Sequence, residues 1–153
     1  MKFDNIDKKI LDILQEDARI TNLELAGRIG ISPPASLERV KRLEKNGVIK
    51  KYVALVDPAK INKGTFALVS VALIIHQIPS IDSFTKQINK LEEVLECYHI
   101  TGSDDFMLKI AVENIEQYEK FIINKLTKIR GVSKVTSNIV LSTVKYNTKI
   151  HID

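Results

Sequence analysis

TNLELAGRIGISPPASLERVKRLEKNGVI, Thr21 to Ile49, decides how this chain is read. Thr21 with Glu24 three residues on makes a capping box, so a helix starts there. Its inner face is Leu23, Ala26 and Ile29, with Leu25 beside them. Gly30 supplies the positive φ that a sharp exit needs. Ser32 caps the next helix, and Pro33 takes its first position, where a missing N–H costs nothing. Leu37, Val40 and Leu43 are spaced to face inward, and Gly47 stops the helix after Asn46. Upstream, Asp4 or Asn5 caps a first helix with Ile6, Ile10, Ile13 and Leu14 as its apolar stripe. Three short helices with a tight glycine turn between the second and third form a helix-turn-helix unit.

With Leu37, Val40 and Leu43 inward, the third helix sends Pro34, Ala35, Glu38, Arg39, Lys41, Arg42 and Lys45 outward. In such units the second helix of the motif meets base edges, while flanking cations hold phosphates. Ala35 and Ser36 are small enough to let the helix approach a groove. Arg39 and Arg42 can fork onto guanine or clamp phosphate, and Glu38 can pair with Arg42 four residues on. Lys50 lies past the helix end, near the nucleic-acid backbone. The candidate DNA contacts are therefore Ser32, Pro34, Ala35, Ser36, Glu38, Arg39, Lys41, Arg42, Lys45 and Lys50. Charge fits this reading. The chain carries a formal +4, and residues 1–64 hold thirteen Lys and Arg against nine Asp and Glu, whereas residues 65–153 hold ten of each. A basic surface of this kind is either a solvated helix face or the footprint of phosphate binding.

Val48 to Val56 reads as extended, a small wing or a strand leading away, and Asp57 to Gly64, DPAKINKG, breaks any regular pattern. Beyond it the pattern alternates. Strands are expected at Phe66 to Ile75, Val94 to Thr101, Phe106 to Val112 and Val132 to Tyr146. Helices are marked by Ile81, Phe84, Ile88 and Leu91, and by Ile115, Tyr118, Ile122, Leu126 and Ile129. The order βαββαβ is that of a ferredoxin-like sandwich, with helices on one face of a four-stranded antiparallel sheet. The fold class is thus α+β. In the first strand both alternate sets are apolar: Phe66, Leu68, Ala72 and Ile74 on one side, Val69, Val71, Leu73 and Ile75 on the other. Helices cover only one face, so the other calls for a partner sheet, most simply from a second subunit.

Thr101, Gly102, Ser103, Asp104 and Asp105 join two of these strands. Such residues make hairpins for local reasons alone. Two adjacent acids beside a glycine also offer an ammonium site, with free backbone N–H groups for a carboxylate. Other chemistry is lacking. His76, His99 and His151 have no metal-ligand spacing, and the single Cys97 reads as a small core residue. No Ser-His-Asp, HExxH or phosphate-loop pattern is present, so no metal, cofactor or enzymatic activity is expected. No secretory leader or membrane-length apolar run is evident, which points to a cytoplasmic protein with no membrane partner.

Three stretches together are similar to a known family: IDKKILDILQEDARITNLELAGRIGISPPASLERVKRLEKNGVIKKYVALVDP, LEEVLECYHITGSDDFMLK and GVSKVTSNIVLSTVK. They resemble the Lrp/AsnC, or leucine-responsive and feast/famine, regulators of transcription. The resemblance implies a winged helix-turn-helix joined to a ferredoxin-like domain of the RAM or ACT-like type. It implies domains at 1–50 (helix-turn-helix), 51–64 (extended strand and linker) and 65–153 (effector binding and oligomerisation). It further implies homodimers built on back-to-back sheets, assembly to octamers, and small effectors, usually amino acids, between subunits. By position, Thr101, Gly102, Asp104 and Asp105 fall in the effector loop, and Ser133 and Thr136 line the same pocket. The expectation is a sequence-specific regulator on double-stranded DNA, responsive to an amino acid. The rival expectation is an architectural protein that wraps DNA without an effector.

Overall fold

The computed structural model describes residues 3–74 and 78–153, which form two units, Met1–Leu55 with Lys145–Asp153, and Val56–Val144. His76 and Ile75, both weighed from the sequence, lie outside the described residues. No described helix is long and apolar enough to cross a membrane.

The first unit holds α1 (Asn5–Glu16), α2 (Asn22–Ile29) and α3 (Pro33–Lys45). Each start is fixed by a side chain that takes up orphan N–H groups. Asp4 caps α1 and Thr21 caps α2, both as capping boxes, and Ser32 caps α3 ahead of Pro33. Gly30 ends α2 in the left-handed region at φ 77°, as the turn requires. Ile10, Leu11, Leu25, Ile29 and Leu43 form the core, with Val48 and Ile49 packed against it. Among the described residues of this unit no strand forms, so Val48 to Val56 makes neither wing strand nor ladder. Its first two residues instead close the core below α3.

The last nine residues belong to this unit rather than to the sheet domain, where the sequence boundary at 65–153 had put them. Gln15 holds them: its Nε2 donates to the Ile150 carbonyl at 3.0 Å, and its Oε1 accepts the Ile150 N–H at 2.8 Å. Lys149 Nζ bridges Glu16 at 2.6 Å and Asp12 at 3.2 Å, and Ile152 packs into the core.

The second unit carries β1 (Thr65–Leu73), α4 (Ile78–Ile88), β2 (Val94–His99), β3 (Phe106–Val112), α5 (Ile115–Asn124) and β4 (Val132–Ile139). The sheet order is β2-β3-β1-β4, antiparallel throughout, as the βαββαβ pattern predicts. Ala67, Val69, Val71, Leu108 and Ile110 point to one face, where Phe84 and Ile88 of α4 and Tyr118 and Phe121 of α5 cover them. Cys97 packs against the same core. β4 stops at Ile139, short of the expected Tyr146. Its partner β1 begins at Thr65, and the last bond of the ladder is Val140 N–H to the Phe66 carbonyl.

The tail's place in the first core is testable. Ile152→Asp is expected to destabilise that unit by about 1–2 kcal/mol through lost apolar burial, read as faster amide exchange across α1 with the sheet unchanged. Equal exchange in wild type and variant would remove the tail from this core.

Candidate DNA-reading helix and effector loop

The rotation of α3 differs from that drawn from apolar spacing. Ser36 is 0% exposed and Leu43 is buried, with Val40 packed beside them, so 36, 40 and 43 form the inner line. Leu37, expected inside, is 43% exposed, and Leu23 of α2 is 71% exposed. Ser36 is thus an interior residue and not a groove contact, and among the described residues its hydroxyl has no hydrogen-bond partner. Ala35 is half-buried. Ser32, Pro34, Glu38, Lys41, Lys45 and Lys50 are exposed, as expected.

Arg39 and Arg42 turn back onto α1. Asp7 is 1% exposed, and a carboxylate buried there needs compensating donors. Arg39 Nη1 reaches Asp7 Oδ1 at 2.9 Å and Asp4 Oδ2 at 2.7 Å. Arg42 Nη2 sits 2.9 Å from both Asp7 oxygens. Arg42 thus turns its Nη2 onto Asp7 while its side chain stays 47% exposed, in place of the Glu38 pairing that the i, i+4 spacing suggested. Arg39, the expected base reader, is a strut between α1 and α3.

In the second unit, residues 101–105 turn between β2 and β3 with Gly102 at φ 134°. The two adjacent acids divide their work. Asp105 closes the sheet: its carboxylate accepts the Leu73 N–H at 2.7 Å, its N–H donates to the Val71 carbonyl, and its carbonyl accepts from Ile100. The β1–β4 register shifts between Ala72 and Leu73, so the side chain serves an N–H next to that irregularity. An ammonium-binding role for Asp105 would compete with this bond. Asp104 is the freer acid. Its side chain is 15% exposed, and Oδ1 lies 3.5 Å from Lys134 Nζ. Ser133 donates to the Ala72 carbonyl at 2.9 Å, and Thr136, opposite Ser70, shares the helix-free face with Lys134. The loop and the start of β4 therefore meet, with Thr101, Gly102 and Thr136 exposed around the pair. Lys134 escaped the sequence reading, although strand alternation places it beside Thr136.

Two family models match the chain. One, a winged helix-turn-helix DNA-binding domain, covers residues 3–50, and the other, the Lrp/AsnC ligand binding domain, covers residues 66–150. The chain belongs to the Lrp/AsnC family. The transcriptional regulator AzlB of Bacillus subtilis is 44% identical over 150 residues, covering 98% of this chain and 96% of that protein. The leucine-responsive regulatory protein of Escherichia coli K12 is 36% identical over 147 residues, 96% of this chain and 90% of that one. The crystal structure of a Neisseria meningitidis transcriptional regulator in complex with L-Met superposes with a TM-score of 0.93 at 33% identity, covering 97% and 96% of the two chains.

This Lrp/AsnC protein is accordingly a DNA-binding transcription regulator with a ligand-binding domain, of a family of regulators and not of enzymes. Its α3 is held by ionisable groups, which makes the hold pH-dependent. The Asp4 carboxyl lies below its ordinary value, held there first by the Asp7 N–H and then by Arg39. A carboxyl depressed in the folded state stabilises above its unfolded pKa of about 4, and the contribution is lost as pH falls through the folded value. Asp4→Asn keeps a capping side chain but not the charge. It should melt below wild type at neutral pH and converge on it as the pH falls through the depressed Asp4 value; a gap that stays constant as the carboxyl protonates would contradict the assignment.

Proposed function

We propose that this regulator's DNA binding or assembly is tuned by an amino acid held where the 101–104 loop meets the start of β4. The observation that carries the reading is the Asp104–Lys134 pair at 3.5 Å beside the exposed turn at Gly102. A zwitterion presents the complementary charges: its ammonium suits Asp104, and its carboxylate suits Lys134 and the N–H groups of the turn. Ser133 and Thr136 flank the pair, while Asp105 holds the frame. The L-Met bound by the Neisseria meningitidis relative supports an amino acid as the class of effector. The family's bacterial DNA-binding relatives support a cytoplasmic setting.

A ligand that binds only the folded state raises its melting temperature. One or more of the twenty amino acids should therefore shift wild type upward. Asp104→Asn and Lys134→Met should lose the shift while keeping basal DNA binding. A shift retained in both variants rejects this location, and no shift from any amino acid favours the effector-independent architectural reading.

The helix-free face of the sheet supports a homodimer, which further packing would extend toward an octamer. Rows across it read Tyr98, Met107, Ser70, Thr136 and Glu96, Lys109, Leu68, Asn138. Leu68 and Tyr98 are exposed there, and Phe66 and Met107 are half-buried. Covering such a face gains roughly 25 cal/mol per Å² of apolar area. Leu68→Glu is expected to reduce the sedimenting mass to that of one chain at micromolar concentration, with wild type heavier. A wild type that sediments as a single chain ends the dimer proposal.

A further inference from the structure

The ion pairs on α3 change which side chains read bases. Ser36, Val40 and Leu43 face the core, and Arg39 and Arg42 are bound to Asp7. Besides Arg42, which is bound to Asp7 yet exposed, what remains outward is Pro33, Pro34, Leu37, Glu38, Lys41, Glu44 and Lys45, within an arc of about 140° at 3.6 residues per turn. Lys41 and Lys45 supply charge toward phosphate. In the first half of the helix, where base edges are met, the exposed side chains are Pro33, Pro34, Leu37 and Glu38. Leu37 is 43% exposed on a face where its apolar neighbours on α3 are the prolines of the first turn, Pro33 and Pro34. A leucine cannot hydrogen-bond. The one apolar group on base edges in the major groove is the C5 methyl of thymine.

We propose that Leu37 is a specificity-determining residue that reads a thymine methyl in the major groove, and that Arg39 and Arg42 position α3 for this instead of touching bases. The assignment rests on α3 being the reading helix. Burying one methyl group is worth about a fourfold change in affinity.

The test uses the full chain and a site enriched from random duplexes. Each thymine in turn is replaced by 2′-deoxyuridine, which lacks only the methyl, and binding is measured by anisotropy. At one thymine, and its symmetry mate where the site is palindromic, the replacement should weaken wild type roughly fourfold. Leu37→Ala should bind thymine and deoxyuridine there equally, while Leu37→Met, with its apolar reach, restores the difference. Lys41→Ala should weaken enriched and random DNA alike and lower the salt slope. If Lys41→Ala weakens binding but every thymine replacement acts equally on wild type and Leu37→Ala, Leu37 is not a methyl reader and α3 still faces DNA. If Lys41→Ala and Leu37→Ala both leave affinity unchanged, α3 is not the reading helix and the proposal falls with it. An enriched site lacking thymine also overturns it.

Discussion

One buried carboxylate sets the geometry of the DNA-binding unit. Asp7 sits in the first turn of α1 at 1% exposure, where an uncompensated charge would cost several kcal/mol. Arg39 and Arg42, on successive turns of α3, meet it at 2.9 Å. Asp7 also completes the capping box with Asp4, whose other oxygen takes Arg39. Closing the N-terminus of α1 and fixing the rotation of α3 are therefore one event. The helix cannot turn by a residue without stranding Asp7, and the exposed face that includes Leu37 and Lys41 follows from that constraint.

Asp105 plays the corresponding part in the second unit. Like Arg39 and Arg42 it was expected to contact a ligand, and in the structure it serves the frame, taking the Leu73 N–H beside the register shift of β1. Both cases have one cause. A charged side chain near a site has two uses, to bind something outside or to satisfy something inside, and residue type does not distinguish them. Burial of the partner does: Asp7 is inaccessible to water and the Leu73 side of the sheet is core. The proposed contacts are the neighbours left over, Lys41 and Leu37 on α3 and Asp104 with Lys134 at the sheet end.

The elements themselves were legible because their signals are local. Caps at Asp4, Thr21 and Ser32, the glycine exit at Gly30 and the alternation in β1 and β3 all act within a few residues. The helix rotation was not legible, because Leu37–Val40–Leu43 and Ser36–Val40–Leu43 both satisfy helical spacing. Choosing the apolar member put a serine on the wrong side. The Asp7–Arg42 pair spans 35 residues and Gln15–Ile150 spans 135, so neither leaves a mark in any short window. The early end of β4 depends on where β1 begins, which is a property of the pairing and not of 140–146, whose composition reads as strand.

The tail bounds how a ligand signal can travel. The chain passes between its units twice, at 55–56 and again at 144–145. The second passage continues β4, which carries Lys134, into the segment sewn to α1 by Gln15 and Ile152. α1 in turn holds α3 through Asp7, so covalent chain and named contacts run from the proposed effector loop to the proposed reading helix. A route of this kind carries no more free energy than its weakest contact, because a larger pull detaches it. Here that contact is an exposed amide pair, the Lys149 ion pairs to Asp12 and Glu16, and one half-buried isoleucine, together on the order of 1–3 kcal/mol. This covers the usual range of coupling between sites, about 5- to 150-fold in affinity. A response steeper than that cannot pass along the tail of one chain, and it requires the additional interfaces of an oligomer, where several copies of the same small bias add.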